Sequence, residues 1–234
     1  MHTGMLLVDG EKMSKSLGNF FTLAEVLEKH SGAALRLLML QTSYHSPLDF
    51  SWDRLDGAES SLTRIAGTVQ NLRWAASHAT AQADAALAED FAAKTAVVRA
   101  SFAECMDDDF NTAGALGAVF GFVTECNQYL EAAGDAAAAT VALAGADALA
   151  ELLSTLGIEL PEPEEELPEG LLDVARELVD FEGTDVAEAA EKILAARAEA
   201  RAAKNWGLAD AIRDQLKDLG LVIEDTAAGT RIKS

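Results

Sequence analysis

The sequence predicts a mainly helical protein, with a looped and partly extended segment at its start and a small α/β unit with a β-hairpin at its end. Three observations carry that prediction. Half of the 234 residues are hydrophobic while only 6% are aromatic, a composition suited to helices that pack closely through small side chains and unlike a disordered acidic chain. Four long stretches repeat apolar residues at alternating intervals of three and four, which lines one face of a helix. One segment, PEPEEELPEG at Pro161–Gly170, interrupts that periodicity with prolines and mutually repelling glutamates, as a linker does.

Taken in order, Met5 to Phe21 reads as an extended segment, a glycine-bearing turn, a basic loop and a second short extended segment. Thr22 with Glu25 three residues later makes a capping box that opens a short helix, and Gly32 is expected to end it. A second helix through Leu35, Leu38 and Met39 stops before Pro47, where a ring cannot continue it. Ser51 caps a long helix whose stripe is Leu55, Ala58, Leu62, Ile65, Val69, Leu72 and Ala76. Leu87, Phe91, Thr95, Val98, Phe102 and Cys105 mark the next. Asn111 or Thr112 caps a third through Leu116, Phe120, Val123, Asn127 and Leu130, and Val141, Ala148, Leu152 and Leu156 mark a fourth that Gly157 closes. Four such helices with short connections make an antiparallel bundle.

Beyond the linker come a short helix near Leu172–Phe181, a helix from about Thr184 to Lys204, and another from Trp206 to Leu219. Leu221–Asp225 and Thr230–Lys233, joined by Ala228-Gly229, read as a two-stranded hairpin. The organisation expected is therefore residues 1–50 as loop and connecting helices, 51–160 as bundle, 161–170 as linker and 171–234 as a C-terminal unit.

Charge and cysteine usage restrict the function. The formal net charge of −21 argues against a sequence-blind polyanion binder, since phosphate contacts need Lys and Arg. Its distribution leaves one exception: no Lys or Arg lies between Arg99 and Arg176, whereas six lie from Lys192 to Lys217. That segment is either a face for nucleic acid or a solvated helix surface. Cys105 and Cys126 belong to no paired Cys-x-x-Cys motif and read as small core residues; His2, His30, His45 and His78 show no metal-ligand spacing. No apolar run is long enough to span a bilayer and no signal segment opens the chain, so no membrane partner and a cytoplasmic location are expected.

The chemistry lies in Gly10–Asn19, GEKMSKSLGN. Lys12 and Lys15 stand in a loop kept small by Ser14, Ser16 and Gly18. Mobile ammonium groups of this kind can follow charge as it builds on a triphosphate losing pyrophosphate. By composition alone an exposed basic turn explains the segment as well.

Five letters of it, Lys12-Met13-Ser14-Lys15-Ser16, are identical to KMSKS, the second signature of class I aminoacyl-tRNA synthetases. The text around them narrows the resemblance. HTGMLLVDGEKMSKSLGNFFTL, LRLLMLQTSYHSPLDFS, MDDDFNTAGAL and NWGLADAIRDQLKDLGLVIEDTAAGTR, in that order, resemble cysteinyl-tRNA synthetase from end to end. The match is loosest around Ala79–Ala88 and Ala136–Ala150, and His45 stands where the family often has Arg.

The resemblance implies ATP, used with Mg2+, bound by Lys12, Met13, Ser14, Lys15 and Ser16, with Lys12 and Lys15 catalytic and Lys15 most directly tied to the phosphates. It implies an anticodon-binding type of helical bundle. It implies that the C-terminal unit reads the anticodon of cysteine tRNA through Arg201, Trp206, Asp210 and Asp225. The family's His-Ile-Gly-His signature, its Rossmann nucleotide fold and its Zn2+ ligands precede the loop and do not occur in these residues. No metal site is therefore expected here, and this chain by itself is expected neither to recognise cysteine nor to activate it.

MDDDFNTA at Met106–Ala113 has the look of a carboxylate metal cluster, but adjacent aspartates cannot all face one ion from regular structure, and a capped helix start accounts for them. Trp52, Trp74 and Trp206 read as packing residues, Trp206 alone having a second reading as a base-stacking ring. Two rival functions remain at this point. One is the cysteine-dependent ligase of mycothiol synthesis, which shares the signature but needs no anticodon reader; the other is a non-catalytic helical RNA-binding module.

Overall fold

The computed structural model describes residues 3–8, 10–14, 19–79, 82–161, 167–226 and 229–233, the side chains at 224–226, 229, 231 and 233 excepted. The chain divides into two compact units, Met1–Pro163 and Glu164–Ser234.

The first unit opens with a small mixed sheet of β1 (Leu6–Val8), β2 (Glu11–Lys12) and β3 (Leu48–Phe50), in the order β2-β1-β3. β1 runs antiparallel to β2, with Leu7 opposite Lys12, and parallel to β3, with Leu6 opposite Leu48 and Val8 opposite Phe50. The extended start and its glycine turn were legible. The strand β3 was not, because three residues give no period and their partner lies some forty positions upstream. Gly4 has a packing reason: a Cβ there would lie 1.9 Å from the Ser46 carbonyl oxygen, where the two segments cross.

Two short helices follow, α1 (Leu23–Leu27) and α2 (Gly32–Leu40). The capping box at Thr22 and Glu25 is present, and its hydrogen bonds hold the Glu25 carboxyl below the usual carboxylate range. Gly32 does not end α1, as the sequence suggested. The Ser31 hydroxyl accepts from the Ala34 N–H at 3.1 Å, so Ser31 caps α2 and Gly32 is its first residue. Ala34, Leu37 and Leu38 face inward while Met39 is exposed.

The bundle consists of α3 (Trp52–His78), α4 (Ala85–Asp107), α5 (Thr112–Ala133) and α6 (Ala139–Thr155), with the chain turning at Gly157. In α3 the predicted stripe is buried as far as Leu72, then continues through Ala75 instead of Ala76. In α5 the stripe is wider than predicted: Leu116, Val123 and Leu130 are buried as expected, Val119, Phe122, Cys126 and Tyr129 join them, Phe120 is half-buried and Asn127 is exposed. The cause is the breadth of its contact, since α5 packs chiefly on α4 but also touches α3, and two facing helices bury more than one row of side chains. Successive helices are not always neighbours: α3 packs chiefly on α6, and α4 on α5. Phe91 of α4 stacks between Tyr129 and Phe122 of α5, at centroid distances of 4.2 and 5.7 Å. Wholly buried side chains such as Leu62 and Leu72 each contribute about 1.5–3 kcal/mol through burial. Burial pushes the Cys126 thiol up to about 12, so it stays protonated, as a core cysteine does.

The second unit has α7 (Gly170–Val179), α8 (Val186–Ala202), α9 (Trp206–Asp218) and an antiparallel hairpin of β4 (Val222–Thr226) and β5 (Gly229–Lys233). Asp185 caps α8, accepting from the Ala187 N–H at 2.8 Å. Leu171, Phe181, Ile193, Ile212, Leu216 and Leu221 form a core of this unit's own. Among the described residues no helix is long and apolar enough to cross a membrane.

Because each unit closes its own core, limited proteolysis is expected to cut first within 161–170 and to leave two resistant pieces. The check is mass spectrometry of the earliest fragments; a first cut inside α3 to α6 would overturn the division.

Candidate functional site

Two places carry the residues singled out by the sequence, one in each unit. In the first, Gly10 makes the turn between β1 and β2 at φ +78°, a conformation other side chains rarely adopt. Its N–H donates to Asp49 Oδ1 at 2.9 Å, which ties the turn to β3. Lys12 lies on β2 and is exposed; Met13 and Ser14 are half-buried. The Ser14 N–H donates to Asn19 Oδ1 at 2.8 Å, and Asn19 Nδ2 donates to the Lys12 carbonyl at 3.3 Å. One asparagine thus clasps the two ends of the signature loop. Lys15 and Ser16 lie outside the described residues.

Just past the loop, Phe21 sits 4.2 Å from Phe50 and 5.8 Å from Trp52, centroid to centroid, with Lys29 Nζ 4.9 Å from the Trp52 ring. Along the chain, β2 thus precedes the loop and a residue of this aromatic cluster follows it. Asn19 and Asp49 were not singled out by sequence reasoning. Asn19 is the last letter of the motif and was open to notice; Asp49 acts across 39 positions, and nothing local marks it.

In MDDDFNTA, Asn111 is the helix cap, its Oδ1 accepting from the Gly114 N–H at 2.9 Å. Among the described residues no group of three or more His, Cys, Asp or Glu is placed to hold a metal ion.

In the second unit, α8 turns into α9 through Lys204, at φ +58°, and Asn205, whose Oδ1 accepts from the Leu208 N–H at 3.4 Å. Trp206 starts α9 with its ring 59% exposed, too open for a core residue. Asp210 lies one turn further along the same face. Arg201 is in the last turn of α8. Asp210 Oδ1 pairs with Arg213 at 3.2 Å, and Arg213 also meets Asp214 at 3.2 Å, all three side chains being more than half exposed. Such pairs are weak and exchange readily with water or a ligand. Arg213 is thus a competitor for Asp210. Asp225 lies on β4, which packs beside α9, opposite Thr230 of β5; its side chain is outside the described residues.

A family model described as the class I (C) tRNA synthetase catalytic domain matches residues 1–60, the DALR domain matches 101–161, and the cysteinyl-tRNA ligase anticodon binding domain matches 183–232. A cysteine–tRNA ligase of Pseudomonas aeruginosa is 40% identical over 230 residues, 98% of this chain and 44% of that protein. The chain belongs to the cysteinyl-tRNA synthetase family. Other members agree: the cysteine–tRNA ligase of Caldicellulosiruptor saccharolyticus is 38% identical over 237 residues, 100% of this chain and 45% of its own length. That of Halorhodospira halophila is 39% identical over 231 residues, 99% of this chain and 44% of its own length. The chain thus spans less than half the length of these relatives. A solved LeuRS–tRNA–LeuAMS complex from Agrobacterium radiobacter K84 shares the fold over 66% of this chain and 20% of its own, with a TM-score of 0.53 at 23% identity.

Proposed function

We propose that this chain acts within a cysteine–tRNA ligase, which activates cysteine with ATP and transfers it to cysteine tRNA. The single observation that carries the reading is similarity to cysteine–tRNA ligases along 98–100% of the chain, with the KMSKS letters unchanged. In this reading the strand pair β1–β2 presents Lys12 and leads into Lys15, and their ammonium groups neutralise charge on the phosphates as pyrophosphate departs. Asn19 and Asp49 hold the backbone on either side of the loop. Met13, Ser14 and Ser16 contribute small and backbone contacts to ATP. Magnesium enters with the nucleotide. Zinc would supply thiolate selection in the family, and the described residues do not fit it.

The second unit binds the anticodon of cysteine tRNA, Trp206 stacking on a base, Asp210 and Asp225 accepting from base donors, and Arg201 donating to a base oxygen or phosphate. The match of residues 183–232 to an anticodon-binding domain favours this over the mycothiol ligase, which needs no such reader.

The test is cysteine-dependent ATP–pyrophosphate exchange. A polypeptide of residues 1–234 alone is expected to give none, because its described sheets, β2-β1-β3 and β4-β5, build no nucleotide fold. The full-length protein is expected to exchange with cysteine and not with serine. Exchange by the 234 residues alone, or none by the full-length protein, would overturn the reading.

A further inference from the structure

The loop between α4 and α5 reaches the sheet that carries the signature loop through one tyrosine. Tyr44 Oη donates to both carboxylate oxygens of Asp109, each at 3.0 Å, across 65 positions of sequence. Beside it the Thr112 hydroxyl donates to the Leu40 carbonyl at 2.8 Å. At its other end Tyr44 touches the sheet: its carbonyl accepts from the Gly4 N–H at 2.8 Å, at the crossing that excludes any side chain on Gly4. Four positions later the Leu48 N–H donates to the Met5 carbonyl at 2.9 Å, and the parallel pairing of β1 with β3 begins. β1 then pairs with β2, which holds Lys12. A continuous run of hydrogen bonds thus joins Asp109 of the bundle to the base of the loop.

Asp109 adopts φ +49° and Phe110 φ +54°. Two successive side-chain-bearing residues in the left-handed region are uncommon, above all when one is aromatic, and such backbones persist where something holds them. Phe110 gains little burial in return, since 54% of it is exposed. Overall stability is a poor reason for the arrangement, because an exposed hydrogen bond competes with water. The Asp109 carboxylate also holds the Tyr44 hydroxyl above its ordinary pKa, so it stays a donor at any working pH.

We infer that Tyr44 and Asp109 are a positioning pair that locks the sheet under the signature loop to the helical bundle, so that the loop's lysines meet the nucleotide in register. The inference rests on the ligase reading above. Neither residue touches the nucleotide; both act through β1 and β2.

The experiment uses the full-length enzyme without tRNA, measuring single-turnover cysteinyl-adenylate formation, the dissociation constant for ATP and the melting temperature. Tyr44→Phe keeps the ring and its edge contact with His45 but loses the donor. It is expected to slow adenylation about 10-fold with ATP affinity little changed, as misplacement of a catalytic group does. Asp109→Gly relieves the left-handed strain and removes the acceptor, so it should melt no lower than the parent yet show the same slowing. Asp109→Asn keeps an acceptor and is expected to restore most of the rate. Tyr44→Phe combined with Asp109→Gly should be no slower than either alone. Parental rates in Tyr44→Phe and Asp109→Gly, or slowing that merely tracks lost melting temperature, overturn the pair while leaving the ligase reading intact. A full-length parent without cysteine-dependent adenylation overturns both.

Discussion

Replacing Lys15 by alanine in the full-length protein is expected to slow cysteinyl-adenylate formation by about 10²–10³-fold, the scale seen when one donor to developing charge is removed. In the proposed reaction the α-phosphate would become five-coordinate as cysteine's carboxylate attacked, and charge would move onto the departing pyrophosphate. An ammonium that meets that charge only as it forms lowers the barrier without tightening the ground state. The apparent affinity for cysteine should therefore change much less than the rate. Lys12→Ala is expected to be milder: Lys12 stands on β2, paired with Leu7 and held at its carbonyl by Asn19, so its backbone is anchored in the sheet. Rapid-quench single-turnover measurements decide the matter. Adenylation at the parental rate in Lys15→Ala would remove Lys15 from the chemistry.

What the sequence made legible followed from periodicity and from motif letters. The long helices were placed to within a few residues because each carries several turns of apolar repeat, as Leu55 to Leu72 does in α3. Caps were legible where a side chain meets its own neighbours, at Thr22, Ser51 and Asn111. Two of the failures have one cause in common: β3 and the breadth of the buried face of α5 are decided by partners elsewhere, a strand upstream and two facing helices instead of one. The Gly32 error was local, since Ser31 beside it is the cap of α2. The candidate site divides in the same way. KMSKS is a local string and could be read directly. Asp49, which fixes the turn before it, and the Tyr44–Asp109 pair act over 39 and 65 positions and are visible only once the chain has folded.

Alanine at Asp210 or Asp225 of the full-length protein is expected to cost about 1–3 kcal/mol of discrimination for guanine at the first anticodon position, the scale of one bidentate base contact. Guanine offers two donors on its Watson–Crick edge, and a carboxylate accepts both at once. Asp210 stands one helical turn from the exposed Trp206 ring, so a base stacked on that ring would have its edge near the carboxylate. Arg213 holds Asp210 in the free protein, and the pair must open for the base to bind. That sets up a contrast between two variants. Arg213→Ala should leave selectivity for guanine in place, since it removes only the competitor, whereas Asp210→Ala removes the proposed reader. Cysteine activation without tRNA should be the same in all three variants, because the proposed anticodon reader and the signature loop belong to separate units. The measurement is kcat/KM for charging of cysteine tRNA and of the same tRNA with its first anticodon base changed. If Asp210→Ala and Asp225→Ala both charge the normal tRNA as the parent does and still reject the changed one, guanine is read by other residues.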